Sequence, residues 1–579
     1  MLRLCTFIVI LLFAASAGLG ATFVVSKTAD TNDGVCDADC SLREAVAAAN
    51  AAPTDDVVAF DPAFFGVRRT ITLTLGEIVI ANAGTFAMNG PGSEKLTIDG
   101  NLTGRILSTS TGVVAVINDA RFTRGNGVGA ANTGRAGAIY NNGGNLTVNN
   151  VVIVGNTANT GGAMNTAGNG TTNINRSVLA NNTTVSSGGA LQNFAGSTTN
   201  VNHSSIYGNT SGGSTGGGAF QANGTVRITN STFANNSAPG GSGGGIAFNG
   251  TLLVVTNSTF VGNTSTNNGG GLHKSTANPG AVRNTILAGN TGGSGTPDVT
   301  GAMTSEGNNI IGNIGTSTGW VASDLQNTNP VLSPVGFYGG PGISSIPLSG
   351  SPALDAGQSC VLDATCTTNN APVNVASDQR GAARPSNAAV DIGAVETNPA
   401  YTAVLPAGTV GEVYAFSIAS NFSGFDFTVI QGGFGGVPFT ATATTAGLDG
   451  TPSRGGLFNA TVQVSNGSNA SSIRYAFPVF GIGGSTIVHG RVLDGSGNPV
   501  RNASVTLTGA GGFVLPSVTT QFGWFYFDGV PPGDYVLDTT AKGIAYGLAN
   551  VTAVNAVNEI TISPLSVAKR SAKPTDAER

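Results

Sequence analysis

Charge is scarce in this chain. Lysine, arginine, aspartate and glutamate make up 9% of 579 residues, and the net charge is −5. No lysine- or arginine-rich stretch exists to neutralise a phosphate backbone, so no nucleic-acid partner is expected. Histidine is scarcer still. His203, His273 and His489 are the three in the chain, and none lies near a cysteine, which argues against zinc. Between Asp119 and Asp298 there is no Asp or Glu at all; the fixed charges there are Arg121, Arg124, Arg135, Arg176, Arg227, Lys274 and Arg283. A carboxylate pair for general acid–base chemistry has no residues in that stretch and would have to use its ends, Asp99 with Asp119 or Asp298 with Glu306. Beyond the first residues no apolar run reaches the ~18 residues of a transmembrane helix. Disorder is not the reading of this low charge, because 40% of residues are hydrophobic.

The chain opens with "MLRLCTFIVILLFAASAGLGATF". Arg3 precedes an apolar core and small residues follow it, the pattern of a secretory signal peptide over residues 1–21. Export is expected, to the extracellular space or outer surface of a bacterium. The oxidising environment then pairs the remaining cysteines locally, Cys36 with Cys40 and Cys360 with Cys366. The charged C-terminal stretch, residues 566–579, is expected to be disordered.

Internal repetition is the dominant signal. The words "VVIVGN", "SVLANN", "SSIYGN", "STFANN", "STFVGN" and "TILAGN" end at Asn156, Asn182, Asn209, Asn236, Asn263 and Asn290, spaced by 26, 27, 27, 27 and 27 residues. A second word of two small residues, Ala or Gly, and an apolar one ends at Ile139, Met164, Leu191, Phe220, Ile246 and Leu272. Short strands and glycine turns at this period stack as coils of a parallel β-helix, with like positions one strand spacing apart, ~4.8 Å. The recurring Asn can then hydrogen bond along the axis as a ladder. Helical repeats would lose roughly 1 kcal/mol at each glycine.

These words resemble the repeats of the polymorphic outer-membrane protein family over about residues 120–313. The resemblance implies a right-handed parallel β-helix at a cell surface, although the chain lacks the long amphipathic strands of that family's membrane barrel. "CSLREA" with "AAAN" resembles the start of bacterial CSLREA-domain proteins. "SEGNNIIGN", "PLSGSPALDAG", "DQRGAARP" and "DIGAVE" resemble a choice-of-anchor Q segment that closes such solenoids, about residues 305–397. Residues 398–484 resemble bacterial Ig-like modules, with alternating apolar and polar residues. Residues 485–565, including "VHGRVLDGSGNPVRNASVTLTG", resemble carboxypeptidase-regulatory-like domains. The expected architecture is all-β: a capped β-helix over residues 22–397, then two β-sandwiches.

"CSLREAVAAANAA" is an exception, because it has helical periodicity. Ser41 and Glu44 fit a capping box, and Leu42, Ala45, Val46 and Ala49 share one face. Such a helix is expected to cover the open end of the first coil.

Few residues carry a chemical expectation. Asp30, Asp33, Asp37 and Asp39 offer oxygens for weak calcium binding, and no other cofactor is expected. Asp378, Arg380, Asp391 and Glu396 form a charge cluster read as a clamp between loops. His203 shares a column with Asn150, Arg176, Asn230, Asn257 and Asn284, which reads as a solvated outer face. In "WFYF", Phe525 and Phe527 fall on the core face, and Trp524 and Tyr526 on the face where sugars stack. Two functions compete. One is a monomeric, non-enzymatic surface protein with a structural or adhesive role, binding glycans. The alternative is a polysaccharide-degrading enzyme, which requires Asp298, Glu306, Asp324 and Asp378 to converge on one cleft.

Overall fold

The computed structural model describes residues 20–562 apart from 215, 294–297, 374, 400, 454–455, 481–485, 495–497, 510–513, 521–522, 531–532, 542–543, 547 and 554–557. The expected leader, except for its last two residues, and the C-terminal tail lie outside the described residues.

Residues 22–326 form a parallel β-solenoid of three long faces and a shorter five-stranded sheet, from Thr157–Thr160 to Thr264–Ser265. The first face is an eleven-stranded sheet from Thr22–Val25 to Thr304–Ser305, and the second an eleven-stranded sheet from Arg69–Thr72 to Leu325–Gln326. The third has nine strands, from Ile78–Ile80 to Val299–Thr300. Side chains alternate across each strand, so one set enters the solenoid. On the first face, Val58, Met88, Ile117, Val148, Ile174, Val201, Ile228, Val255 and Val282 stack in register and are all buried. Phe233 and Phe260 stack inside the second face, with ring centroids 4.9 Å apart.

The repeated asparagines line the bend after the second face, and from Asn156 to Asn263 each leads into a strand of the five-stranded sheet. Each of Asn156, Asn182, Asn209, Asn236 and Asn263 donates its Nδ2–H to the next Oδ1, at 2.8–3.0 Å. The same Oδ1 atoms accept the backbone N–H of the preceding asparagine at 3.0–3.1 Å. An amide suits this position because it donates and accepts at once. The last rung, Asn290, donates both its N–H and its Nδ2–H to Asp298 Oδ1, each at 2.8 Å. A carboxylate only accepts, so it ends a ladder and cannot continue one. A shorter hydroxyl ladder runs through Ser177, Ser204, Ser231, Ser258 and Thr285. It passes to Asn309 and ends on Asp324.

Helix α1, Leu42–Ala51, lies across the first coil. Ser41 and Glu44 form the capping box, and Glu44 also accepts from the Asp33 N–H and the Thr31 hydroxyl. Leu42, Ala45, Val46 and Ala49 join the solenoid core. Among the described residues the outer edge of Ile78–Ile80 has no strand partner, and the helix supplies substitutes. Asn50 donates to Val79 O and accepts from the Ala81 N–H, while Arg43 donates to Gly76 O and Glu77 O. The Cys36–Cys40 disulfide sits in the turn before the helix, and Cys360–Cys366 closes a second local loop.

At the other end, Met303, Ile314 and Trp320 pack against the core. From residue 330 the chain departs from the expectation of a terminal closure and runs back along the flank of the solenoid. Ser205 donates to Ile343 O, Thr232 bonds Gln379, and the Ala394 N–H bonds Thr259 Oγ1. The column expected to be solvated is therefore covered. Asn230 donates to Ser377 O, Asn284 to Gln358 O, and His203, Asn230, Asn257 and Asn284 are buried. Burial also drives the His203 pKa down to about 3.

Two sandwich-like units follow. In the first, a five-stranded and a three-stranded sheet share a core that also takes in Tyr338, Leu348 and Val395 from the returning segment. In the second, a sheet of Trp524–Val530, Thr486–Val492 and Asn558–Ile562 faces a sheet of five strands. Among the described residues no helix is long and apolar enough to cross a membrane.

Two substitutions test this account. Asn209→Ala leaves the Asn182 N–H and the Leu179 carbonyl short of partners. It should cost roughly 2–4 kcal/mol in denaturant unfolding; a loss below 0.5 kcal/mol would discount the ladder. Leu42→Asp should detach α1 and expose the first coil, seen as aggregation in light scattering with a lowered melting temperature. A monomeric variant with an unchanged melting temperature would rule out the lid role.

Candidate functional site

The acids named from sequence do not converge. Asp298 and Asp324 end the two ladders. Glu306 pairs with Arg283 at 2.8 Å and accepts from Thr368 and Asn369. Asp378 is buried within the returning segment, where Arg380 donates to it and also to Glu396 O at 2.6 Å. Arg384 joins that hub through Glu396 Oε2 and the carbonyls of Asp391 and Gly393. At the N-terminal end, Asp30 binds Arg43, Asp39 binds Lys27, and Asp33 and Asp37 accept local backbone N–H groups. Among the described residues no group of three His, Cys, Asp or Glu side chains is placed to hold a metal ion.

A cleft of about 720 Å³ opens elsewhere, between the early coils and the terminal sandwich. Strand alternation builds its sandwich wall. Thr486–Val492 runs antiparallel to Trp524–Val530, with His489 opposite Tyr526 and Arg491 opposite Trp524. Those four side chains share the outer surface and line the cleft, while Val488, Val492, Phe525 and Phe527 are buried in the core. Trp524 and Tyr526 are half-buried, with ring centroids 6.2 Å apart and planes 26° from parallel. His489 stacks on Tyr526 at 5.7 Å. Lys95, reaching from the solenoid, places Nζ 3.6 Å from the Tyr526 ring centre, and Arg491 lies over Trp524 at 5.2 Å.

The solenoid wall is built from two adjacent columns. Asn89, Asn118 and Asn149 face the cleft at the end of successive first-face strands. They form an external amide ladder, with Nδ2–H to Oδ1 distances of 2.7 and 2.8 Å. The ladder continues to Asn175 and Asn202 at 2.9 Å. The next residue in each of three coils, Asp119, Asn150 and Arg176, turns the chain in the left-handed region, with φ of 56°, 56° and 48°. This is the column that the returning segment covers further along; here it lines the cleft, with Asn150 buried and Asp119 and Arg176 half-buried.

Burial pushes the Asp119 carboxyl up to about 7, and Glu94, also in the cleft, adds repulsion. The Asn150 amide at 3.1 Å and Arg491 act in the opposite sense. Burial and Lys95 lower the His489 pKa to about 4, so its ring is neutral at ordinary pH.

Sequence reasoning named Trp524, Tyr526 and Asp119 but could not bring them together. It missed the external ladder, although "FAMN", "AVIN", "LTVN", "TNIN" and "TNVN" mark it one residue before the left-handed column.

Residues 487–563 match the carboxypeptidase regulatory-like domain. No curated protein matches the chain. Solved structures give weak, partial likenesses. The major pilin subunit BcpA of Bacillus cereus is 12% identical, over 28% of this chain and 67% of the pilin, with a TM-score of 0.13. The Bacillus anthracis TIE protein is 11% identical, over 28% of this chain and 39% of its own, with a TM-score of 0.12. An endo-fucoidan hydrolase from glycoside hydrolase family 107 is 16% identical, over 27% of each chain, with a TM-score of 0.13. Likenesses at this level carry no functional argument.

The raised Asp119 pKa makes a signed prediction. The folded state holds this proton more tightly than an unfolded chain with a value of 3.8, so stability falls as pH rises from 3.8 through about 7. Asp119→Asn keeps a residue suited to positive φ and removes the charge. The variant should gain on wild type between pH 5 and pH 8, on the order of 2 kcal/mol after allowing for solvent. Parallel melting-temperature profiles across that range would refute it.

Proposed function

We propose that this is an exported surface protein that holds a carbohydrate chain in the cleft between its solenoid and its terminal sandwich. The observation that carries the reading is the pairing of walls. Trp524 and Tyr526 offer apolar ring faces to the C–H side of a sugar, and the opposing amides of Asn89, Asn118 and Asn149 offer donors and acceptors to its hydroxyls. Their ladder bonds hold those amides in place, so little side-chain ordering is needed on binding. A volume of about 720 Å³ suits a short glycan segment.

The leader pattern and the two disulfides support export. The resemblance of the repeats to the polymorphic outer-membrane protein family supports a place at the cell surface. In this reading the protein has a structural or adhesive role, with the glycan as its point of attachment. One observation favours the enzymatic alternative: Asp119 and Glu94 line the same cleft, and the first still holds a proton part of the time near neutral pH. Polysaccharide turnover abolished by Asp119→Asn would select that alternative.

Glycan-array screening of the mature chain, followed by calorimetry, tests binding. Trp524→Ala should weaken the best glycan about tenfold or more. Its melting temperature should change little, because Trp524 lies outside the sandwich core. Absence of binding to every glycan by the wild-type protein would end the proposal.

A further inference from the structure

Arg176 is at odds with its surroundings in two ways. The first is its backbone. Its column turns at positive φ from Asp119 to Asn284; Asn150, Asn230, Asn257 and Asn284 hold that turn with the short amide that tolerates it best, and Asp119, Arg176 and the buried His203 are the other members. Arg176, at φ 48°, has no such side chain, and a long residue in this region costs on the order of 1 kcal/mol. Residues kept in strained conformations mark places where the side chain has a use.

The second is its charge. Arg43, Arg105, Arg283, Arg380 and Arg384, all buried or half-buried, each hold a carboxylate, whereas half-buried Arg121 and Arg501 hold none among the described residues, Arg501 donating instead to Arg380 O. Arg176 is half-buried, and among the described residues no carboxylate lies within ion-pair distance and no carbonyl accepts from it. Asp378 is near enough to attract it but is committed to Arg380 and to the N–H groups of Arg380, Ala382 and Glu396. Arg501 repels it from the other side, and burial together with that repulsion lowers its pKa. A partly desolvated guanidinium without a counter-charge is costly until an anion reaches it.

Arg176 lines the cleft together with Asn150 and Pro341, one coil beyond Asn150 and two beyond Asp119. Lys95 and Arg491 lie in the same cleft. Of its two carboxyl groups, Asp119 is partly neutralised by its own proton near pH 7, so the cleft carries a net positive charge. We propose that Arg176 forms an anion subsite and that the sugar chain bound in the cleft is acidic, carrying a uronic carboxylate or a sulfate ester. This rests on the carbohydrate reading of the cleft and narrows it to one class of ligand.

The variant Arg176→Asn restores the residue that other coils use, so it should fold and melt at or above the wild-type temperature. Calorimetry would compare the wild-type chain, Arg176→Asn and Trp524→Ala. The probes are a neutral oligosaccharide, an oligogalacturonate and a sulfated oligosaccharide of matched length, with sodium sulfate alone as a fourth. The wild type should prefer one acidic probe over the neutral one by about tenfold or more. Arg176→Asn should erase that preference, whereas Trp524→Ala should weaken all sugars alike. Whichever acidic probe is preferred identifies the substituent. Equal binding of neutral and acidic sugars, or a preference that survives Arg176→Asn, overturns the anion subsite and leaves the carbohydrate reading standing. Binding of sulfate alone with no sugar bound overturns the acidic-glycan proposal together with that reading.

Discussion

Stacking identical positions one strand spacing apart is the constraint on which this molecule depends. A parallel solenoid repeats every side chain at ~4.8 Å along its axis, so each column must tolerate its own copy as a neighbour. Apolar residues and amides do so. Asparagine meets the condition inside at Asn156–Asn290 and outside at Asn89–Asn202, where each amide donates to one neighbour and accepts from the other. Ionised side chains do not, because like charges at that separation repel and a carboxylate cannot pass a hydrogen bond onward. Between Asp119 and Asp298, where no acid occurs, no column has to stack one carboxylate on another. Asp298 and Asp324 sit where the two ladders end.

That condition explains why the solenoid was legible. Six asparagines at near-constant spacing set the coil length, and their amide chemistry set the bend. The N-terminal helix was legible for a different reason, since Ser41 and Glu44 satisfy one another locally and need no distant partner. The flank was not. Asn230 and Asn284 look like exposed turn residues because asparagine serves a positive φ equally well in water or under cover. What decides is Ser377 and Gln358, over seventy residues away. The cleft was half legible: alternation put Trp524 and Tyr526 on an outer face, but no local pattern identifies the coils that this face meets.

The candidate site is composite. Its aromatic wall lies more than 300 residues from its amide wall, and the connection between them is the buried hub of Asp378, Arg380, Arg384 and Glu396. Arg501 of the terminal sandwich donates to Arg380 O in that hub, and Lys95 of the solenoid reaches Tyr526. The charge cluster is therefore a joint, and its influence on any ligand passes through the spacing of two walls it does not line.

The returning segment also fixes the length of the solenoid. Repeat arrays ordinarily gain and lose whole units with little penalty, since each unit touches only its neighbours. Here a strap of set length joins the far end to the early coils. One added coil would slide Asp119, Asn150 and Arg176 by ~4.8 Å relative to Trp524 and Tyr526. The strap makes an otherwise extensible stack into a gauge, in which the coil number is held by the register between two walls that the chain brings together only after its last turn.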